Sequence, residues 1–232
     1  MKRTALFFAL LLTAAAASAQ PSPSFSIGPR ISSFSTDLDV DLSRVETGRQ
    51  TSFGLVGDYR NGAVVFDWVY NHDASEGASL FDVVANVSDY ERNWGEATVG
   101  YAIAPIIDLQ GGVRIDSIRL GGARLFGGSI FSDLDLDHQA VTAGVRLHTP
   151  TRGQVGWYGT ARGYIGTAKF DRLGTRVNSD TTGWRAETGV MIRIGESNWY
   201  IVPGAEYERL ETEDFGVDMK SNRLFLNFVF TR

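Results

Sequence analysis

Two runs in this chain place carboxylates at alternate positions: Asp37-Leu38-Asp39-Val40-Asp41 and Asp133-Leu134-Asp135-Leu136-Asp137, the second followed by His138. In an extended backbone, residues two apart share a face at a spacing of about 7 Å, within reach of one divalent cation. Asp37, Asp39, Asp41, Asp133, Asp135 and Asp137 are therefore candidate ligands for calcium or magnesium. An EF-hand is excluded, because no Gly follows the third Asp and the twelfth positions are Gly48 and Gly144 rather than Glu. The same alternation also fits a solvated face of strands that project past a membrane, and both readings stand at this level.

A second charged set is spread along the chain. Arg114, Arg146, Arg162, Arg185 and Arg193 each sit beside an apolar neighbour, as do Asp67, Glu96, Asp116, Glu187 and Glu206. Such a set suits an interior that pairs its own charges. The three histidines are His72, His138 and His148, and no Ser follows two residues after any of them. Lys169, Arg172 and Arg176 form a modest cationic cluster suited to anionic sugars or phosphates.

The elements that position these residues are strands. In Val64-Val65-Phe66-Asp67-Trp68-Val69-Tyr70-Asn71 the even positions are large and apolar while the odd ones include Asp67 and Asn71, a period of two. About ten stretches repeat this pattern, from Phe25–Ile31 to Leu224–Phe230. Their connections alternate between a tight turn, such as Asn61-Gly62 or Thr149 to Gly153, and a long polar segment, such as Asp73 to Asp89 or Lys169 to Asp180. Ten strands give five long connections and four short ones, with both termini on the short-turn side.

Composition sets limits. Residues 1–19 read as a cleaved secretory signal peptide, with Lys2 and Arg3 before an apolar stretch and Ala17-Ser18-Ala19 before Gln20. Residues 20–232 then form a single domain. Without Lys2 and Arg3, 20 basic residues face 27 acids, a net charge near −7 that argues against nucleic acid as a partner. Cys is absent, which rules out disulfides, thiolate nucleophiles and Cys-based metal sites. No other apolar run approaches the length of a membrane helix, and no motif calls for a cofactor.

A soluble β-sandwich also alternates, but two features favour a membrane barrel. Tyr59, Tyr101, Trp157 and Trp199 fall near the short-turn ends of the apolar faces, and Tyr70, Trp94, Trp184 and Tyr207 near the long-loop ends, as two interfacial girdles would. The strict alternation of short and long connections has no counterpart in a sandwich. The expected fold is an all-β, antiparallel, up-and-down transmembrane barrel of about ten strands, with eight as the alternative count.

On these features the chain resembles bacterial outer-membrane β-barrel proteins of the small porin-like superfamily. The resemblance implies residence in the outer membrane against lipid and lipopolysaccharide. It also implies recognition of the last strand by the barrel-insertion machinery, through Phe228 and Phe230, since the chain runs on to Thr231 and Arg232. It implies a narrow channel or a surface-exposed structural or interaction protein, without enzymatic activity. Outer-membrane proteases share the ten-strand count, and the alternative function is a hydrolase using Asp137 and His138 as a rim dyad. Paired charges in the interior make a narrow or closed pore the expected one.

Overall fold

The computed structural model describes residues 23–40, 43–80, 85–121, 123–125, 128–131, 134–149, 154–172, 175–214 and 217–232. The expected leader, Asp41 and Asp133 lie outside these residues, as do the side chains of Arg172 and Arg176.

All regular structure is strand: β1 (Ser24–Val40), β2 (Ser43–Asn61), β3 (Val64–Leu80), β4 (Ala85–Ala104), β5 (Ile107–Leu120), β6 (Ala123–Leu125), β7 (Gly128–Phe131), β8 (Leu134–His148), β9 (Val155–Arg172), β10 (Thr175–Arg193), β11 (Trp199–Thr212) and β12 (Val217–Thr231). Ten of them form a closed antiparallel wall in chain order, β12 pairing back onto β1 and β3 onto β4. A ring has no free edge, so neighbouring strands can pair their backbone groups all the way round without water. β6 and β7 make a small hairpin in the third long connection, laid against the outer end of β4. The expected ten-stranded barrel is the observed one.

Two of the short turns are set by local chemistry. Gly62 (φ 60°) and Gly195 (φ 58°) take the left-handed conformation that a tight hairpin needs and that side chains oppose.

The strands are longer than the sequence pattern suggested. Of the segment from Asp73 to Asp89, expected as a loop, the residues up to Leu80 continue β3 and those from Ala85 belong to β4, and Lys169–Asp180 is mostly β9 and β10. At about 3.3 Å per residue, the 17 residues of β1 reach further than a hydrocarbon core of about 30 Å, even allowing for tilt.

The reason is that the period of two continues while its polarity inverts. In the short-turn half the apolar side chains face outward: Ile165 is 69% exposed, Val141 64% and Ile115 62%, while Arg30, Arg114 and Asp108 are buried inside. Nearer the long loops the faces exchange. Phe34, Tyr90, Ile118, Leu136, Phe170, Leu210 and Met219 point inward and are buried. Asp37, Arg119, Asp135, Asp137, Lys169 and Asp218 take the outward positions between or beside them. The wall is built for lipid below the crossover and for water above it.

Candidate functional site

The interior of the barrel has three tiers. At the long-loop end the buried inward side chains are mostly apolar, with the hydroxyls of Thr36, Ser179, Thr181 and Ser221 among them, and Phe34 meets Tyr90 with ring centroids 6.2 Å apart.

Beneath this seal lies a layer of buried charge. Asp116 accepts from Arg92 Nε at 2.8 Å and Arg114 Nε at 2.7 Å, and Glu208 Oε1 accepts from Nη2 of the same two arginines at 2.9 and 2.6 Å. Arg223 grips Asp73 through two bonds of 2.9 and 2.6 Å. Glu96 pairs with Arg162 at 2.8 Å and Arg185 at 3.2 Å, and Arg30 with Glu187 at 3.1 Å and Glu206 at 3.4 Å. Six guanidinium groups, of Arg30, Arg92, Arg114, Arg162, Arg185 and Arg223, thus face six carboxylates, of Asp73, Glu96, Asp116, Glu187, Glu206 and Glu208. Such a layer is tolerable in a low-dielectric interior only because each charge has an opposite within reach.

Trp94 stands among them. Its indole is 1% exposed, with the guanidinium carbons of Arg114 and Arg185 at 4.7 and 4.9 Å from the ring and those of Arg92 and Arg223 at 5.8 Å. The expectation that Trp94 belongs to the outer aromatic girdle is therefore corrected. Even positions of β4 face inward, as Glu96 does, and Trp94 shares that parity.

Below the charge layer a cavity of about 300 Å³ extends to the short-turn rim, where Ser24, Arg60, His148 and Thr231 line it. One side is apolar, with Tyr158, Val202 and Phe225 packed against Met191, Tyr200 and Val229. Two of these rings lie across a glycine directly opposite on the next strand: Tyr158 on Gly189 and Phe225 on Gly204. A Cβ on Gly189 would come within 2.7 Å of the Tyr158 ring, so the glycine gives that ring its place.

Of the residues expected inside, Asp67, Glu96, Asp116, Arg114, Arg146, Arg162, Arg185, Glu187 and Glu206 face the lumen. Arg146 donates to Asp67 at 2.6 Å, and Gln110 donates to the same carboxylate. Arg193 shares their parity but sits at the short-turn end, where it donates to the carbonyls of Ser197 (2.7 Å) and Glu196 (3.2 Å) and so takes no part in the layer. Asp73 went unseen because its segment read as loop, and Arg92 because it fell between that loop and the strand read from Glu96. Their signal was the continued alternation Tyr90, Arg92, Trp94, Glu96.

The described carboxylates of the acidic runs, those of Asp37, Asp39, Asp135 and Asp137, lie on the outside of the wall above the crossover. Asp39 is 3.7 Å from Lys220, and Asp135 is 3.7 Å from Arg119. Asp37 stands opposite Lys220 in register, and Asp137 opposite Lys169. Among the described residues no group of three or more His, Asp or Glu side chains is placed to hold a metal ion. Beside this run Asp218 accepts from Arg209 at 3.0 Å and lies 2.9 Å from Lys220. Partial burial alone would raise its pKa, but those hydrogen bonds prevail and hold the carboxyl below the usual range.

Asp137 and His138 do not form a dyad. Successive residues of a strand face opposite ways, so Asp137 is outside while His138 is buried inside with Nδ1 3.4 Å from Asp116 Oδ2.

Among solved structures the chain is similar to the outer membrane protease OmpT of Escherichia coli, at 7% identity over 94% of this chain and 99% of that one, with a TM-score of 0.54. It has the fold of a bacterial outer-membrane β-barrel protein. A second such barrel, the translocator domain of autotransporter NalP from Neisseria meningitidis, is 11% identical over 97% and 95% of the two chains, with a TM-score of 0.51. At these identities the likeness is one of fold alone. No protein-family model matches the chain, and no curated protein does. As in an outer-membrane barrel, the paired rings Trp184–Tyr207 (4.9 Å) and Trp199–Phe230 (5.3 Å) stand at opposite margins of the outward apolar belt.

Proposed function

We propose that this chain is an exported, integral outer-membrane protein whose barrel is closed to solutes and serves as a non-enzymatic scaffold, presenting its long connections at the cell surface. The observation that carries this reading is the double closure of the lumen: a charge layer paired six against six, capped by an apolar seal. A conducting pore needs a continuous polar path, and the apolar tier interrupts it. The short turns and both termini then face the periplasm, and the outward charges above the crossover stand among lipopolysaccharide headgroups. Phe228 and Phe230 lie on the lipid face of β12, where the insertion machinery would read them.

The hydrolase reading loses its main support with the Asp137–His138 pair, since His138 is sealed inside against Asp116. Refolded protein in a planar bilayer tests the proposal directly. The expected record is a flat baseline, whereas steady ohmic steps would overturn the closed-scaffold reading. Cleavage of the long connections by protease added to intact cells is expected alongside it.

A further inference from the structure

The seams of the wall are not equally bonded. Apart from a bulge at the Ala104 turn, eight of the ten ladders run without a gap between the short turns and the crossover. The two that skip rungs there border one hairpin, β11–β12. Between β12 and β1 the register passes from Ile27–Phe230 to Arg30–Asn227, leaving out Gly28 and Pro29. Between β10 and β11 it passes from Ile192–Ile201 to Gly189–Gly204, leaving out Val202 and Pro203.

The cause is the same in both. Phe25 and Arg232 exchange two backbone bonds, at 2.9 and 2.8 Å, and Ile194 donates to the Trp199 carbonyl at 2.9 Å. Bonded pairs recur at every second residue of antiparallel strands, so position 29 should donate to Phe228 and position 203 to Val190. Each of these donors is a proline, with no N–H to give, and the lipid belt has no water to take its place. Pro29 and Pro203 are the only prolines in the described strands. Gly28 thins the first seam further. It shares the inward parity of Ser26 and Arg30, and a Cβ there would collide with the Phe228 carbonyl oxygen.

The two interruptions stand at one height, since Pro203 lies opposite Leu226, two residues from Phe228. On the lumen side the hairpin contributes Tyr200, Val202 and Val229 to the apolar wall of the cavity. On the lipid side, across Gly28 and Pro29, lies an apolar groove formed by Ile27, Leu55, Trp199 and Phe230. A weakened seam therefore separates two apolar surfaces, and a closed wall alone gives no reason to weaken it.

We propose that the β12–β1 seam opens sideways, by outward movement of the β11–β12 hairpin, and admits the alkyl chain of a single-chain amphiphile from the bilayer into the lumen cavity. The groove lies in the lipid-facing belt, so membrane lipid is what meets it. The cavity, about 300 Å³, is at the lower end of small-molecule pockets and takes one chain, not the two of a phospholipid. The chain lies against Tyr158, Val202 and Val229. Net charge does not select its head group, because Arg60 and Arg146 stand at the rim together with Asp58 and Asp67. The inference goes beyond the closed scaffold and rests on its seal, which leaves the short-turn mouth and the seam as the routes inward; conductance tests the seal separately.

The test is photolabelling of the refolded full-length protein in phosphatidylcholine vesicles, using palmitate with a diazirine in its chain and mass spectrometry to locate the label. Ser26 Oγ and Thr231 Oγ1 are 3.2 Å apart across the seam, and the chain has no cysteine of its own. Ser26→Cys combined with Thr231→Cys therefore locks the seam when oxidised and frees it when reduced. Label on Met191, Val202 or Tyr158 is expected in the wild type and in the reduced variant. Oxidation should lower it at least tenfold while labelling of Leu226 and Phe228 on the lipid face stays unchanged. Absence of inward label in the wild type would overturn the site, and inward label that persists after oxidation would assign entry to the short-turn mouth and overturn the lateral route. Pro29→Ala restores the missing donor and should slow inward labelling at least threefold. An unchanged rate in that variant would also count against the seam, and it decides alone should the cysteine variant fail to fold.

Discussion

Asp137 and His138 are neighbours in the chain and lie on opposite sides of the barrel wall, His138 reaching Asp116 across the lumen face at 3.4 Å while Asp137 faces out opposite Lys169. The two should therefore answer mutation differently. His138→Ala leaves a space beside Asp116 and removes a partner from a buried carboxylate, a loss of about 1–3 kcal/mol. Asp137→Asn should leave the urea midpoint of the refolded barrel unchanged. Equal sensitivity of the two positions would contradict the placement of His138 inside.

The crossover of polarity marks where the wall leaves the lipid, and arginine substitutions can locate it. Ala161 and Thr167 both face outward on β9, Ala161 within the apolar belt and Thr167 beyond Ile165 and next to Lys169 in the charged zone. Ala161→Arg puts a guanidinium near the bilayer midplane at about 2–4 kcal/mol, whereas Thr167→Arg should cost only about 0–1 kcal/mol. Refolding free energies in phospholipid vesicles measure both. If the costs were equal, the belt would not end where the faces exchange.

Much of this architecture was legible because a strand writes its two faces as a period of two. Phe66, Asp67 and Trp68 already announce lipid, lumen and lipid. What stayed hidden was the meaning of the pattern when its polarity turned over. Asp133-Leu134-Asp135-Leu136-Asp137 alternates as strictly as any stretch in the belt, and it read both as a ligand run and as the solvated face of strands projecting past a membrane, because the carboxylates alone do not choose between the two. The leucine between them at 136 is the informative residue: it is buried in the lumen. Trp94 was misplaced for a related reason, since aromatic residues near strand ends suggest an interface, while parity with Glu96 turns this one inward. The pairing of Arg92 with Asp116 and Glu208 depends on three strands meeting inside a closed ring, and no local pattern specifies that.

Above the crossover the charges stand in water and respond to pH in the ordinary way. Asp218, bonded to Arg209 and Lys220, has its folded pKa lowered, so its contribution is fully present above the unfolded value of about 4 and disappears as pH falls through the folded one. Solvent screening keeps that contribution small. The wild type should be slightly more stable than Asp218→Asn at pH 7, and the gap should close in the acid range below pH 4. A gap that widened on acidification would reverse the assigned direction.

The charge layer makes the strongest energetic prediction. Glu208 serves both Arg92 and Arg114, at 2.9 and 2.6 Å, and all three side chains are buried. Glu208→Gln preserves shape but leaves Arg92 with Asp116 alone and Arg114 with Asp116 and the more distant Glu96, at 3.8 Å. Breaking a buried pair from one side leaves an uncompensated charge, so the loss should be about 3–5 kcal/mol. The outward neighbour Arg209, which bonds to Asp218 in solvent, should be far less sensitive to the same kind of neutralising change. Conductance of Glu208→Gln should nevertheless stay flat, because Phe34, Leu210 and Met219 close the lumen above it independently of the charges. Channel steps in this variant would assign the closure to the ion pairs instead of the apolar seal, and a cost below about 1 kcal/mol would mean that the layer is hydrated and not the dry network its geometry describes.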